Sequence, residues 1–501
     1  RDLHSFPTRR SSDLHSRDAL WLEHLKPADD GTSDAGRDGT GDAAGAGGDD
    51  GGPGDAAGPA GDEWLVVSDN AGGRWVFDAS GRLAWTCTGA GSRVDYVWQA
   101  GRLVGLAHER GGRVTVVWDQ EADRIAGLEA SDGRQVSYRY DASGRLVGVE
   151  REGGRRSYEW DEGGRVRRVV DADGVVEVDN TYNQAGQVLT QRSPFGRVSH
   201  YTYLPGGVTQ VADEDGGRAN TWIYDRWGRL VGMVDADGAR QSVIWDRWGN
   251  KVMVTARDKQ RTINQYDQRS RLTMRVEPTG ARTTYDYDQA DRVVRVTVAP
   301  EPDAAPSVTT FAYQGADRNP TTITDPCGGL THLEWDHGLL VRVVDPVGVS
   351  LDLTYDHRGD LIATTNADGA TARLERDARG QITAATTPLG HRTQYRYDQA
   401  GNLTHRRDPD GALWRWEYTP GGRLCTLVDP AGGRTEVAYG DHGAEESTTD
   451  AVGRVISTVY DDLGLKAGAT LPDGSSWQFG WDALSRLRTM EIGRASCRER
   501  V

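Results

Sequence analysis

The sequence predicts an all-β protein, a meander of about forty short antiparallel strands joined as β-hairpins. Three observations carry that expectation. An aromatic residue, usually followed by Asp and four positions later by Gly, returns about every 21 residues through most of the 501-residue chain. A second turn signature falls about ten residues after each such Gly. Long amphipathic runs of period 3.6 are missing, and 64 Gly with 18 Pro would interrupt most helices. A period of this size marks one supersecondary unit stacking on the next, a scaffold that is structural before it is catalytic.

The aromatic anchors fall at Phe77, Trp98, Trp118, Tyr140, Trp160, Tyr182, Tyr203, Tyr224, Trp245, Tyr266 and Tyr287. They continue at Tyr313, Trp335, Tyr355, Arg376, Tyr397, Tyr418, Tyr439, Tyr460 and Trp481, and Arg376 alone is not aromatic. Tyr138 and Tyr140 show what one unit builds. Two aromatics spaced by two share a strand face, because side chains alternate with period two. Asp141 then opens a turn by accepting backbone N–H bonds, and Gly144 takes the left-handed conformation that closes the hairpin. The same logic makes structural anchors of Trp160, Asp161 and Gly164; of Tyr224, Asp225 and Gly228; of Trp245, Asp246 and Gly249; and of Tyr397, Asp398 and Gly401. The second turn of a unit reads Asp235-Ala236-Asp237-Gly238 or Asp408-Pro409-Asp410-Gly411. Between Tyr287 and Tyr313 the step lengthens, and Ala299 to Pro306 reads as an inserted surface loop.

The ends read as foreign. His4 to Leu14 can be encoded by one oligonucleotide whose reverse complement, in a single frame, encodes Ile492 to Val501. Residues 1–14 and 491–501 are therefore expected to be translated sequencing adapter, to be set aside before fold reasoning, and the native piece an internal fragment. Residues 15–62 are expected to hold a short helix remnant at Ala19 to Lys26 and a disordered Gly/Ala/Asp-rich linker. The repeat domain is then expected over 63–490.

The formal net charge is −16. Residues 1–14 carry three Arg against two Asp and residues 492–501 three Arg against one Glu, so without them the charge is −19. That balance argues against nucleic-acid or anionic-membrane binding, which need basic footprints. No apolar run has the length of a membrane-spanning helix. Apart from Cys497, the thiols Cys87, Cys327 and Cys425 are far apart and lack C-x-x-C spacing, against a disulfide framework or zinc site.

The Tyr-Asp-x-x-Gly-Arg-Leu phrase at this period resembles the YD repeats of the Rhs family, also found in bacterial toxin shells and animal teneurins, and the resemblance spans about Asp62 to Met490. It implies a β-sheet spiralling into a partial hollow shell, with a partly polar inner face. The hydrophobic content of 37% and mean hydropathy of −0.64 agree with that geometry. In bacterial members such a shell houses a variable C-terminal toxin for delivery to competing cells. The resemblance thus implies a secreted or surface-displayed protein whose partners are its own toxin domain, an immunity protein and a delivery apparatus. Neither a toxin domain nor the family's aspartate-bearing self-cleavage motif is found in this sequence, so no catalytic residue is carried over.

The residues themselves give no independent chemistry. Asp141, Asp161, Asp225 and Asp246 invite an acid/base reading, since paired carboxylates run glycoside hydrolysis. They recur at the turn-opening position of most units, where backbone capping explains them. The aromatics fit either cross-strand packing or a sugar-stacking stripe, and packing is the simpler reading. Arg145 and Arg229 are expected to stack on those rings. His108, His200, His332, His337, His357, His391, His405 and His442 show no metal-ligand spacing, and there is no Walker loop. The expectation is a non-enzymatic shell with no cofactor or metal. A cell-surface adhesin that binds glycans through exposed Trp is the alternative from a different class.

Overall fold

The computed structural model describes residues 21–25, 64–301 and 304–493. Among them 42 strands, from Trp21–Leu25 to Leu487–Gly493, form one sheet, and there is no helix. Each strand pairs antiparallel with its neighbours in sequence, as Trp64–Ser68 does with Arg74–Phe77 and Gln135–Tyr140 with Leu146–Arg151. The sheet is a pure meander whose first and last strands do not pair.

Alternation along each strand explains its two faces. In Arg392–Tyr397, Thr393, Tyr395 and Tyr397 are half-buried while Arg392, Gln394 and Arg396 are exposed. Arg434–Tyr439 repeats the pattern. The buried apolar side chains are few and small: Val66, Val76, Val116, Val175, Ala363 and Ala384. No large side chain among the described residues is fully buried. Two sheets packed face to face would bury such side chains, so this sheet is a single-layered wall.

The meander places the two turns of every unit on opposite edges of the band. Turns after the aromatic anchors line one rim; turns of the Asp235–Gly238 kind line the other. The rims meet. Arg318 donates to the carbonyl of Asn70 (2.9 Å), Arg110 to that of His337 (2.7 Å), and Arg486 to the carboxylate of Asp237 (3.0 Å). These partners lie 227 to 249 residues apart, or about twelve units. The band therefore winds back onto its own edge once in roughly 24 strands, about 115 Å of wall at the usual strand spacing.

The structure corrects three boundaries. Where a helix remnant was expected, Trp21–Leu25 forms a strand on Trp64–Ser68. An edge strand offers unpaired N–H and C=O groups that a five-residue segment satisfies by pairing, whereas five residues are too few to nucleate a helix. Ala299 still belongs to strand Val293–Ala299, so the insertion begins at Pro300. Strand Leu487–Gly493 runs past the expected limit at 490, because pairing with Ser476–Trp481 continues through Ile492 and Gly493. The expected linker, Pro27 to Asp62, and the tails at 1–14 and 494–501 lie outside the described residues.

Candidate functional site

The turn after each anchor is built by one carboxylate. Asp141 Oδ1 accepts the N–H groups of Ser143 and Arg145 (both 2.9 Å), and Oδ2 accepts Arg145 Nε at 2.7 Å. The Asp141 carbonyl accepts the N–H of Gly144, which sits at φ +80° in the left-handed region. Asp161 repeats this with Arg165, and Asp225 with Trp227 and Arg229, before Gly164 and Gly228. Asp246 and Asp398 use Asn250 and Asn402 in place of the Arg, before Gly249 and Gly401. These hydrogen bonds hold the Asp141 carboxyl below its ordinary value; the backbone bond from Arg145 is the largest cause, against a smaller upward push from desolvation. At Asp161 the side-chain bond from Arg165 leads.

The anchors do something the sequence did not disclose. The Tyr140 hydroxyl donates to the carbonyl of Ile125 (2.7 Å), and that of Tyr397 to Ile382 (2.9 Å). The indoles do the same: Trp160 Nε1 to Leu146 (2.7 Å) and Trp245 Nε1 to Leu230 (2.9 Å). Most anchors thus reach back to the strand start in the preceding unit, Phe77 having no donor on its ring. The register shifts between Glu159 and Trp160, and at the equivalent pair in most units, though Tyr203 makes the same tie, to the carbonyl of Val188 (2.9 Å), without a shift. Tyr224 comes after the shorter Leu204–Val208 turn, and there its backbone N–H donates to Gly207 (2.9 Å). Arg376 keeps the role of the rings it replaces, with Nε donating to Leu361 at 3.1 Å.

The turn arginines extend the same tie forward. The Arg229 guanidinium lies 5.5 Å from the Trp245 ring centre and donates to the Asp246 carbonyl at 3.3 Å. Arg165 lies 4.7 Å from Tyr182, and Arg145 reaches the Asp161 carbonyl at 3.4 Å. Where the turn carries Arg, its guanidinium therefore ties the unit to a ring or a carbonyl of the next. The predicted anchor residues are strung along the wall and do not converge on one point.

Convergence occurs instead at the seam between successive windings. Asp173 accepts Thr419 Oγ1 (2.8 Å) and the N–H of Gly421 (2.6 Å), and is bonded to Arg423. Arg423 Nη2 also donates to Asp171 at 2.6 Å. Burial pushes Asp171 up, but the Arg423 bond, two backbone N–H bonds and the guanidinium charge outweigh it and leave the carboxyl lowered. Further along, Phe195 stacks on His442 with ring centres 4.6 Å apart and meets Tyr460 at 5.6 Å. Arg379 pairs with Glu152 at 2.8 Å. A cavity of about 810 Å³ opens beside Asp173, lined by Arg168, Ser193, Thr419 and Cys425 among others. Its polar groups are largely paired with each other, as Arg168 is with Asp179 (2.8 Å). Among the described residues no cluster of His, Cys, Asp or Glu could hold a metal ion, and no helix is long and apolar enough to cross a membrane.

Two known families match separate stretches of the chain. The Teneurin YD-shell family matches residues 73–265, and the RHS Repeat family matches 335–371, 376–413 and 400–435. No curated sequence matches. Among solved structures, the chain is similar to one in the crystal structure of TcdB2-TccC3, with a TM-score of 0.51 and 14% identity over 86% of this chain and 33% of that one. It is equally similar to TcdB2-TccC3 without its hypervariable C-terminal region (TM-score 0.51, 13% identity, 86% of this chain and 35% of that one). The chain spans about a third of the length of these relatives, and at such identity the likeness establishes the fold.

Proposed function

Because the chain belongs to the Rhs/YD-shell family, we propose that it is a non-enzymatic wall segment of a bacterial toxin shell. The shell encloses a C-terminal toxin and is secreted or displayed at the surface for delivery to competing cells. Its partners are that toxin domain, the immunity protein that neutralises it and a delivery apparatus. The observation that carries the reading is the seam: a single-layered sheet docks on its own rim about twelve units later, with no large side chain among the described residues fully buried behind it. A wall without a second layer has an inner surface available to cargo. One of the similar solved chains is named for lacking a hypervariable C-terminal region, the place where a toxin shell carries its cargo.

The test is to sequence the parent locus across both ends of the repeat region and to express the segment encoded downstream of the repeats. The expected result is a frame that continues through further repeats into a variable C-terminal domain, toxic when expressed alone and silent when fused to the shell. A frame that ends in a wall anchor or membrane helix, with no variable domain, overturns the proposal.

A further inference from the structure

A row of basic side chains crosses three neighbouring strands with no acid set against it. Strands Arg392–Tyr397, Leu403–Arg407 and Leu413–Tyr418 place Arg396 directly opposite His405, and His405 directly opposite Arg415. Directly opposite residues share a face, with Cβ atoms about 5 Å apart. Arg407 lies two residues along from His405 on that face, opposite Gln394. Arg396, Arg407 and Arg415 are exposed, and none has a carboxylate within ion-pair distance among the described residues. The nearby acids are engaged elsewhere: Glu375 accepts from Arg392 at 2.7 Å, and Glu417 pairs with Arg434 at 3.8 Å. His405 Nδ1 lies 3.1 Å from Thr404 Oγ1, whose own proton goes to the Arg396 carbonyl (3.1 Å). Nδ1 is therefore the donor, and Nε2 has no partner among the described residues.

Other units show what this row lacks. Three of them also carry a basic residue where His405 stands, two positions past the partner of the anchor: Arg168, Arg295 and Arg342. Each is met by a carboxylate from a flanking strand. Arg168 lies between Glu159 (3.5 Å) and Asp179 (2.8 Å), Arg342 between Glu334 (4.0 Å) and Asp352 (2.9 Å), and Arg295 faces Asp286 (3.9 Å). At His405 both flanking positions are arginine. Like charges set opposite one another destabilise a sheet, and in a chain of net charge −16 acids are the commoner charge. We propose that this row is a binding site for a phosphoryl group. Arg396 and Arg415 stand two strand intervals apart, about 10 Å, with the His405 ring between them. A dianionic phosphoryl group has three terminal oxygens, one for each guanidinium fork and one for His405 Nε2, whereas a carboxylate has two oxygens and a single charge. Arg407 adds positive charge at the edge of the same site.

The site is tested by isothermal titration of the full chain with inorganic phosphate and, separately, with glycerol 1-phosphate, at fixed ionic strength. Saturable one-site binding is expected. Tighter binding of the ester makes an organic phosphate the ligand, and tighter binding of inorganic phosphate makes it the free ion. Arg396→Gln/Arg415→Gln should lower the affinity at least about tenfold. Arg261→Gln, which removes an exposed arginine from strand Arg261–Tyr266, should leave it unchanged. Arg396→Glu supplies the kind of carboxylate flank that Arg168 has, and should abolish binding while raising the melting temperature in phosphate-free buffer. Unchanged amide exchange in the three strands certifies that the Gln variant folds. Absence of saturable binding with both probes overturns the proposal, as does affinity unchanged in the double Gln variant or lowered equally by Arg261→Gln.

Discussion

Replacing Asp173 by Ala tests whether the band is wound on itself. Asp173 accepts from Thr419 Oγ1, the Gly421 N–H and Arg423, and its side chain is 11% exposed. A hydrogen bond to a charged group contributes about 1.5–3 kcal/mol, so three would sum to about 4.5–9 kcal/mol. Arg423 keeps its bond to Asp171, and removing a largely buried charge recovers its desolvation cost, which together bring the expected loss to about 2–4 kcal/mol. That loss is confined to the seam, because each strand pairs with its neighbours in sequence and remains paired. Hydrogen exchange should therefore accelerate roughly 30- to 700-fold in turns 171–174 and 419–422, with little change in the strands between. The cycle of Asp173→Ala and Arg423→Ala should give a coupling of about 1 kcal/mol or more. Unchanged exchange in both turns, with coupling below about 0.3 kcal/mol, would refute the winding.

Acid should open the same seam. The folded Asp171 carboxyl is lowered from its ordinary 3.8, so its stabilisation is present above that value and lost as pH falls through the lowered one. Exchange in turns 171–174 tracked from pH 6 to pH 3 should rise only at the acid end, about where free carboxylates titrate. Asp225→Ala removes acceptors for the N–H groups of Trp227 and Arg229 and for Arg229 Nε, and should cost about 1.5–3 kcal/mol in thermal unfolding; a wild-type melt would count against carboxylate-built turns. Gly228 sits at φ +77° with nothing within 4 Å of an added Cβ, so Gly228→Ala should cost about 1 kcal/mol from backbone strain alone, and Gly228→Asn less. Arg376→Tyr restores the ring of the other units and should raise stability by about 0.5–1 kcal/mol; a lowered melting temperature would show that Arg376 is not a substitute anchor.

The local chemistry was legible in the sequence because it is local. Asp141, Gly144 and their equivalents act within five residues, where turn rules apply directly, and the alternation of Thr393, Tyr395 and Tyr397 needs only a period of two. The tie from Tyr140 to Ile125 was not legible, because it crosses from one hairpin to the preceding one and nothing in the Tyr-Asp phrase names a carbonyl 15 residues back. The pairing of Asp173 with Arg423 lies further out of reach. It spans 250 residues and arises from the cumulative twist of two dozen strands, each contributing a small angle. Trp21–Leu25 reads as helix in the sequence because a short apolar segment has no period long enough to decide, and its neighbour's free edge settles the matter. Arg396, His405 and Arg415 were visible as residues, but the register that sets them side by side was not.

Several seam pairs set an acidic group or carbonyl on one edge, as at Asn70, Glu152, Asp173 and Asp237, against an arginine on the other, as at Arg318, Arg379, Arg423 and Arg486, and Arg110 with His337 runs the opposite way. Gaining or losing a whole unit keeps every side chain on its face of the sheet and moves the seam contacts by one turn. Loss of a single residue within a strand has no such remedy, because it would turn every later side chain of that strand to the opposite face. A wall of this kind therefore lengthens or shortens in steps of one hairpin without turning its two faces over.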